Sequence, residues 1–283
     1  MRLLVELSAR AAYAYQNDWH RKLAGRIWQA LRDTPYDDRH NNAEPPGFVF
    51  SNPFPPEDAA AGDSRHLLVA SPDEELLAYV ADDLQRDREL NVGEMPLYVD
   101  RLAPLSTDVG EPGSEGTLET GTGVLVRIPP ERCSDYGIDH PQGEDGDTAV
   151  YWRPEHTMEP FRTQIENNLD RKHGLYAPDH LPGPSDQSGD LFDGYDLLKT
   201  FAVPVDVTDR KRLTYVLSKW RFEYTVRDDH HRRHLNLALD CGIGERNSLG
   251  LGLLNLPKPD EDETEPATSQ ATSEESTEAQ RVE

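Results

Sequence analysis

The stretch Cys241–Leu254, CGIGERNSLGLGLL, decides how the chain is read. Four glycines (Gly242, Gly244, Gly250 and Gly252) frame the polar run Glu245, Arg246, Asn247 and Ser248. Glycine tolerates φ > 0 and close backbone approach, so this density predicts a loop shaped around something. Its N–H groups can donate to phosphate oxygens, and Arg246 adds a charge-assisted donor. A hairpin turn whose glycines only make the bend is the plainer alternative. The stretch has no Lys for a Walker loop, and a dinucleotide fingerprint would need a helix next. Instead Leu251, Leu253, Leu254 and Leu256 run into Pro257 as a short strand, so the unit is expected to be strand–loop–strand.

Upstream, Leu3, Val5 and Leu7 alternate in a first strand, Arg2 to Leu7. Trp19, Leu23, Ile27 and Leu31 recur every four residues, which predicts a helix from about Asp18 to Arg32. Strands are expected at Phe48 to Ser51 and His66 to Ala70, then a helix from Pro72 to about Arg86 and a strand at Met95 to Leu105. The order β-α-β-β-α-β is that of a ferredoxin-like domain, assigned to residues 1–110. After a Gly/Glu/Thr connector at 111–122 the order begins again over 123–256: strands at Gly123 to Ile128 and Ala149 to Trp152, then a helix from Pro154 to His173. Strands at Leu198 to Val207, Leu213 to Val226 and Leu235 to Leu239 follow, before the glycine loop. The fold class is therefore α+β, with two tandem ferredoxin-like domains. Ala177 to Asp193, rich in Pro, Gly, Ser and Asp, reads as a mobile segment. Residues 257–283, with nine acids and two bases, read as a disordered acidic tail.

Net charge is −24, from 53 acids against 29 bases, and only six of the bases are lysine. An acidic, Lys-poor but otherwise ordinary globular chain points to a cytosol of molar salt, where hydrated carboxylates keep proteins in solution. Cys133 and Cys241 are too few for a disulfide scaffold or a Cys-rich zinc site and are expected to be buried apolar residues. No apolar run approaches the length of a signal peptide or membrane span, so a soluble, cytoplasmic protein is expected. The total charge alone would argue against nucleic acid, but its distribution argues otherwise. His20 to His40 carries a net +2 and Arg210 to Arg246 a net +4, the latter including Arg210, Lys211 and Arg212. Such clustering is the footprint expected for a phosphate backbone, with ordinary solvated faces as the alternative. His230, His231 and His234 sit among these arginines and are expected to meet RNA or solvent. A metal site built from them lacks an acidic ligand pattern.

These residues carry a resemblance. GIGERNSLGLGLL resembles the C-terminal glycine-rich motif of the CRISPR-associated endoribonucleases that cut precursor guide RNA within each repeat, members of the repeat-associated (RAMP) superfamily. MRLLVEL, the helix ending RIWQAL, a loop histidine before GFVFS, and YVDRLAPLS fall in the family's order, so the likeness runs to about Leu256. It implies metal-independent, cofactor-free chemistry: the ribose 2′-OH attacks the adjacent phosphate, leaving a 2′,3′-cyclic phosphate and a 5′-OH. The implied partners are CRISPR repeat RNA and other proteins of an effector complex, with no membrane. The family's catalytic histidine lies between the first helix and second strand, the place of His40; His20, beside Trp19, is the second candidate. Histidine suits proton transfer near neutral pH. Relatives carry a tyrosine where Trp28 stands, and a lysine that Arg39 would replace as the cation. RNA contacts are implied at Gly242, Gly244, Arg246, Asn247, Ser248, Gly250 and Gly252, at Arg210, Lys211 and Arg212, and at Ser106. A guide-RNA-binding subunit that does not cut, or a phosphate-binding metabolic enzyme, are the rival readings.

At molar salt the Debye length is about 3 Å, so long-range attraction is nearly absent. Binding should then rest on hydrogen bonds, stacking and shape. Repeat-RNA affinity is expected to change little between one and two molar KCl in a filter-binding titration; a steep fall would contradict this.

Overall fold

The structure, a computed structural model, describes residues 1–41, 44–139, 150–176, 189–208 and 211–257, with backbone alone for His40, Asn41, Val207, Thr208 and Lys211. The acidic tail and most of the 177–193 segment lie outside the described residues. The N-terminal unit runs β1 (Arg2–Ala9), α1 (Trp19–Ala30), β2 (Val49–Phe50), β3 (Ser64–Ala70), α2 (Glu74–Arg86), β4 (Glu89–Val92) and β5 (Met95–Leu105). Its antiparallel sheet has the order β2-β3-β1-β5-β4. Helix α2 starts two residues later than the sequence predicts, because the Asp73 carboxylate accepts from the Leu76 N–H at 3.2 Å and caps it. The helices bury Leu23, Ile27, Leu77 and Val80 against Val5, Leu67 and Val99 of the sheet, forming the first core.

The second unit runs β6 (Glu115–Thr120), β7 (Arg127–Ile128), β8 (Val150–Tyr151), α3 (Glu159–Tyr176), β9 (Gly194–Thr208), β10 (Lys211–Thr225), α4 (Asp229–Cys241) and β11 (Leu254–Asn255). Its main sheet has the order β11-β6-β10-β9. The pattern β-α-β-β-α-β thus recurs with its last strand beside its first, the arrangement of two tandem ferredoxin-like folds. Phe161, Ile165 and Leu169 of α3 pack with Trp220 and Phe222 of β10 and with Leu235 and Leu239 of α4 in the second core. Cys133 and Cys241 are buried thiols within it.

Three expectations are corrected here. The span read as a connector contains β6, the first strand of the second sheet, which pairs with β10 and β11. Leu235 to Leu239 is helix, not strand. Its leucines alternate, but His230, His231, His234, Leu235, Ala238 and Leu239 form a buried helical face, and the Asp228 carboxylate accepts from the His231 N–H at 2.7 Å. The glycine stretch is accordingly helix–loop–strand. Third, His230, His231 and His234 do not face RNA or solvent: all three are buried. His234 stacks on His173 of α3 at 4.3 Å, lies 4.6 Å from the His230 ring, and reaches Asp170 through Nε2 at 3.2 Å. His231 Nε2 donates to the Leu191 carbonyl at 2.9 Å. Among the described residues no cluster of ligands could hold a metal ion, and no helix is long and apolar enough to cross a membrane.

Burial, reinforced by the neighbouring histidines, pushes His234 down from 6.5 to about 3. The unfolded chain therefore takes up a proton that the fold refuses, so stability is full above pH 6.5 and falls as the pH drops toward 3. At pH 5 the cost reaches about 2 kcal/mol. Denaturant titrations at pH 7.5 and 5 are expected to show this loss, and His234→Phe to remove most of it.

Candidate active site

The glycine loop is wedged between the two units. Its own hydrogen bonds fold it back on itself: Ile243 N–H donates to Gly252 O at 3.0 Å, and Asn247 Nδ2 donates to Ile243 O and Leu251 O at 3.1 and 2.8 Å. From the C-terminal unit, Glu245 N–H donates to Leu125 O and Gly252 N–H to Gly123 O. Beneath it the fully buried ammonium of Lys172 donates to Gly242 O at 2.7 Å and Gly244 O at 3.4 Å. Burial lowers that ammonium to about 8.

On the other side the loop meets the N-terminal unit. Gly250, at φ +75, lies so close to Trp19 and Phe50 that a Cβ would sit 2.6 Å from one ring and 2.8 Å from the other. A Cβ on Gly252, at φ +76, would sit 1.9 Å from Ile243 O. These glycines are required for protein packing. His20 serves the same junction: it stacks on Trp19 with 3.7 Å between ring centroids, and its Nδ1 donates to Leu249 O at 2.7 Å. It is buried, and burial lowers its pKa. Two further latches join the units. Arg2, buried at the start of β1, donates to Leu239 O and Leu254 O at 2.8 and 2.6 Å, and the Tyr176 hydroxyl donates to Pro45 O.

Beside the loop opens a cleft of about 500 Å³. Arg39 and Trp28 line it from the N-terminal unit, Arg127, Arg171 and Lys172 from the C-terminal unit, and Arg246, Asn247 and Ser248 from the loop, with Glu44 and Glu245 as its acids. His40 follows Arg39 in the 3₁₀ turn Asp37–Asn41, so the backbone that carries it borders the cleft. Arg39 is held in place over the Tyr36 ring at 4.6 Å and by Asp73 at 3.6 Å. Tyr36 in turn donates from its hydroxyl to Asp73 at 2.8 Å. One oxygen of Glu245, Oε2, accepts from both Nε and Nη2 of Arg127, at 2.6 and 2.5 Å, which aims the guanidinium and raises its pKa. Arg246 occupies the left-handed region at φ 59, an uncommon position for a side chain other than Gly or Asn. The cleft can therefore hold an anionic backbone with cations drawn from four separate segments.

The residues expected from sequence are distributed unevenly around this cleft. Arg246, Asn247 and Ser248 line it, although the Asn247 amide is spent within the loop. Gly242, Gly244, Gly250 and Gly252 are buried in the junction. Ser106 is exposed just beyond β5 and is not part of the lining. Arg212, paired with Asp206 at 3.7 Å, stands away from the cleft; Arg210 and the Lys211 side chain lie outside the described residues. The net-positive window around them is not an open basic patch: Arg221 pairs with Glu119, Arg227 with Asp193, and Arg232 with Asp108 and Glu111. Arg127 and Arg171 lie outside both net-positive windows, Arg171 beside Lys172 but close after Glu166 and Asp170, and only folding brings them together.

Known proteins share this architecture. Residues 113–256 match the family model for CRISPR associated protein Cas6, C-terminal. The chain is 52% identical over 270 residues to the CRISPR-associated endoribonuclease Cas6 of Haloferax mediterranei, spanning 94% of this chain and 98% of that protein. It is 22% identical over 260 residues to CRISPR-associated endoribonuclease Cas6 2 of Methanocaldococcus jannaschii, spanning 90% and 99%. The solved structure of a Cas6-related protein from Pyrococcus furiosus superposes with a TM-score of 0.65 at 16% identity, over 91% of this chain and 98% of that one. This chain belongs to the Cas6 family.

Gly252→Ala is expected to cost about 2–4 kcal/mol in denaturant unfolding, from backbone strain and steric overlap together, and to weaken RNA binding with it. Gly25→Ala, in α1 with nothing within 4 Å of the new Cβ, is the control expected to leave both unchanged or slightly improved.

Proposed function

We propose that this protein is the endoribonuclease that cuts CRISPR precursor RNA within its repeats to release guide RNAs, acting in the cytoplasm of a halophilic cell. The observation that carries the reading is near-full-length kinship with a haloarchaeal Cas6, joined to an arginine-lined cleft bordered by the turn that bears His40. In the proposed step the 2′-OH gives up its proton, its oxygen bonds to the adjacent phosphorus, and the P–O5′ bond breaks. The 5′-oxygen takes up a proton, leaving a 2′,3′-cyclic phosphate and a 5′-OH. Every atom is supplied by the RNA, so the protein needs to supply only proton transfer and charge stabilisation. His40 is the proton-transfer group. Arg39, from the N-terminal unit, and Arg246, from the loop, both line the cleft and are the cations assigned to the phosphorane's extra negative charge. Trp28, which cannot exchange a proton, forms an apolar wall and packs edge-on against Phe48 at 5.2 Å. His20 acts through the loop it anchors, as a positioning residue.

The strongly acidic chain, with 53 acids, and its Haloferax relative support a molar-salt cytosol. A non-cutting RNA-binding subunit is the remaining alternative, and one assay separates the two. Repeat RNA is incubated with the protein in high salt and EDTA, beside His40→Ala. Cleavage with a cyclic-phosphate end is expected, and the variant should lose about 10²–10⁴ in rate. Binding without cleavage would establish the non-cutting subunit; undiminished cleavage by His40→Ala would move the proton transfer to another group.

A further inference from the structure

Helix α3 has a second face that neither the core nor the proposed chemistry uses. Phe161, Ile165, Leu169 and Lys172 point into the protein. Gln164, Asn167, Asn168 and Arg171 fall at i, i+3, i+4 and i+7, on one stripe. With Arg127 and Glu245 they line a polar pocket of about 310 Å³. That pocket is continuous with the cleft, because Arg127, Asn168, Arg171 and Glu245 belong to the walls of both. Three carboxamides thus gather beside a cation-lined cleft. The Oδ1 of Asn168 is buried, with no hydrogen-bond partner among the described residues. Buried acceptors are normally paired, so this enclosed oxygen leaves the half-buried carboxamide free to turn either its donor or its acceptor end toward the pocket it lines.

We propose that this pocket takes one unpaired nucleobase of the RNA, next to the phosphate held in the cleft, and that Asn168 selects it. The inference rests on the endoribonuclease reading and names the specificity element of that site. A carboxamide carries both a donor and an acceptor and matches the donor–acceptor pairs on base edges. RNA is read in this way where bases are unstacked and splayed from the backbone. With its oxygen turned to the pocket Asn168 accepts an N–H, from an exocyclic amine of adenine, cytosine or guanine or from the ring N–H of guanine or uracil; with its NH2 turned there it donates to a ring nitrogen or carbonyl. Gln164, one turn earlier on the same stripe, reaches the same pocket. Arg171 and the Glu245-braced Arg127 flank it where the phosphates on either side of the base would pass. Neutral amide contacts of short range also suit molar salt, where the screening length is about 3 Å.

The test is a panel of repeat RNAs with single-base changes at each position within three nucleotides of the cut, cleaved by the wild type and by Asn168→Ala. On the native repeat the variant is expected to lose about ten- to a hundredfold in kcat/KM. The wild type should discriminate against a changed base at one position, and the variant should lose that discrimination there while keeping it elsewhere. Equal loss on every RNA, or no loss on any, overturns the proposal. If Asn168→Ala fails to fold by thermal unfolding, the half-exposed Gln164→Ala takes its place, and an unchanged base profile overturns the proposal. If the wild type cuts no repeat, the endoribonuclease reading fails. The same panel is then scored by fluorescence anisotropy, where loss of affinity confined to one base position supports the pocket and a uniform or absent loss overturns it.

Discussion

The structure depends on one packed junction: the glycine loop, gripped from below by a buried ammonium and from the side by two aromatic rings. Lys172 holds the carbonyls of Gly242 and Gly244, while Gly250 lies against Trp19 and Phe50. Burying a lysine with no carboxylate at ion-pair distance among the described residues is costly, and the two carbonyl oxygens it bonds offset part of that cost. Since the loop touches both ferredoxin-like units, its conformation sets their relative placement. That placement decides whether Arg39 on one unit faces Arg127, Arg171 and Arg246 on the other. The cleft is thus a consequence of the junction.

This arrangement reconciles a chain of net charge −24 with an anionic ligand. Most arginines outside the cleft are matched by acids at ion-pair distance, as Arg221 is by Glu119 and Arg232 by Asp108 and Glu111. In the cleft, positive charge gathers where segments far apart in sequence converge. In molar salt a diffuse basic surface would be screened, whereas converging short-range donors keep their value.

Much of this was legible in the sequence. The first β-α-β-β-α-β pattern, the stripe of α1 and the unusual glycine density could all be read from spacing. Helix α4 was not, because Leu235, Leu237 and Leu239 alternate like a strand while the signals that settle the matter lie outside that window. They are the Asp228 cap and the histidines packed on α3. Recurrence of the first pattern demanded a helix at that point, so the global order was the stronger signal. The close approach that the glycines allow is taken up by protein atoms, 1.9 to 2.8 Å from a would-be Cβ, a packing that spacing alone does not show. No linear window could assemble Arg39, Arg127, Arg171 and Arg246, whose proximity exists only after the two units dock.

The central claim is that RNA is cut in the cleft between the 3₁₀ turn bearing His40 and the glycine loop. The most direct measurement is a structure of the protein bound to repeat RNA whose nucleotide before the cut lacks its 2′-OH, so that the reaction stops before the first step. The account expects the scissile phosphate between Arg39 and Arg246, within reach of the His40 imidazole. A scissile phosphate elsewhere, for example over the sheet face of β9 and β10 near Lys199 and Lys219, would contradict it.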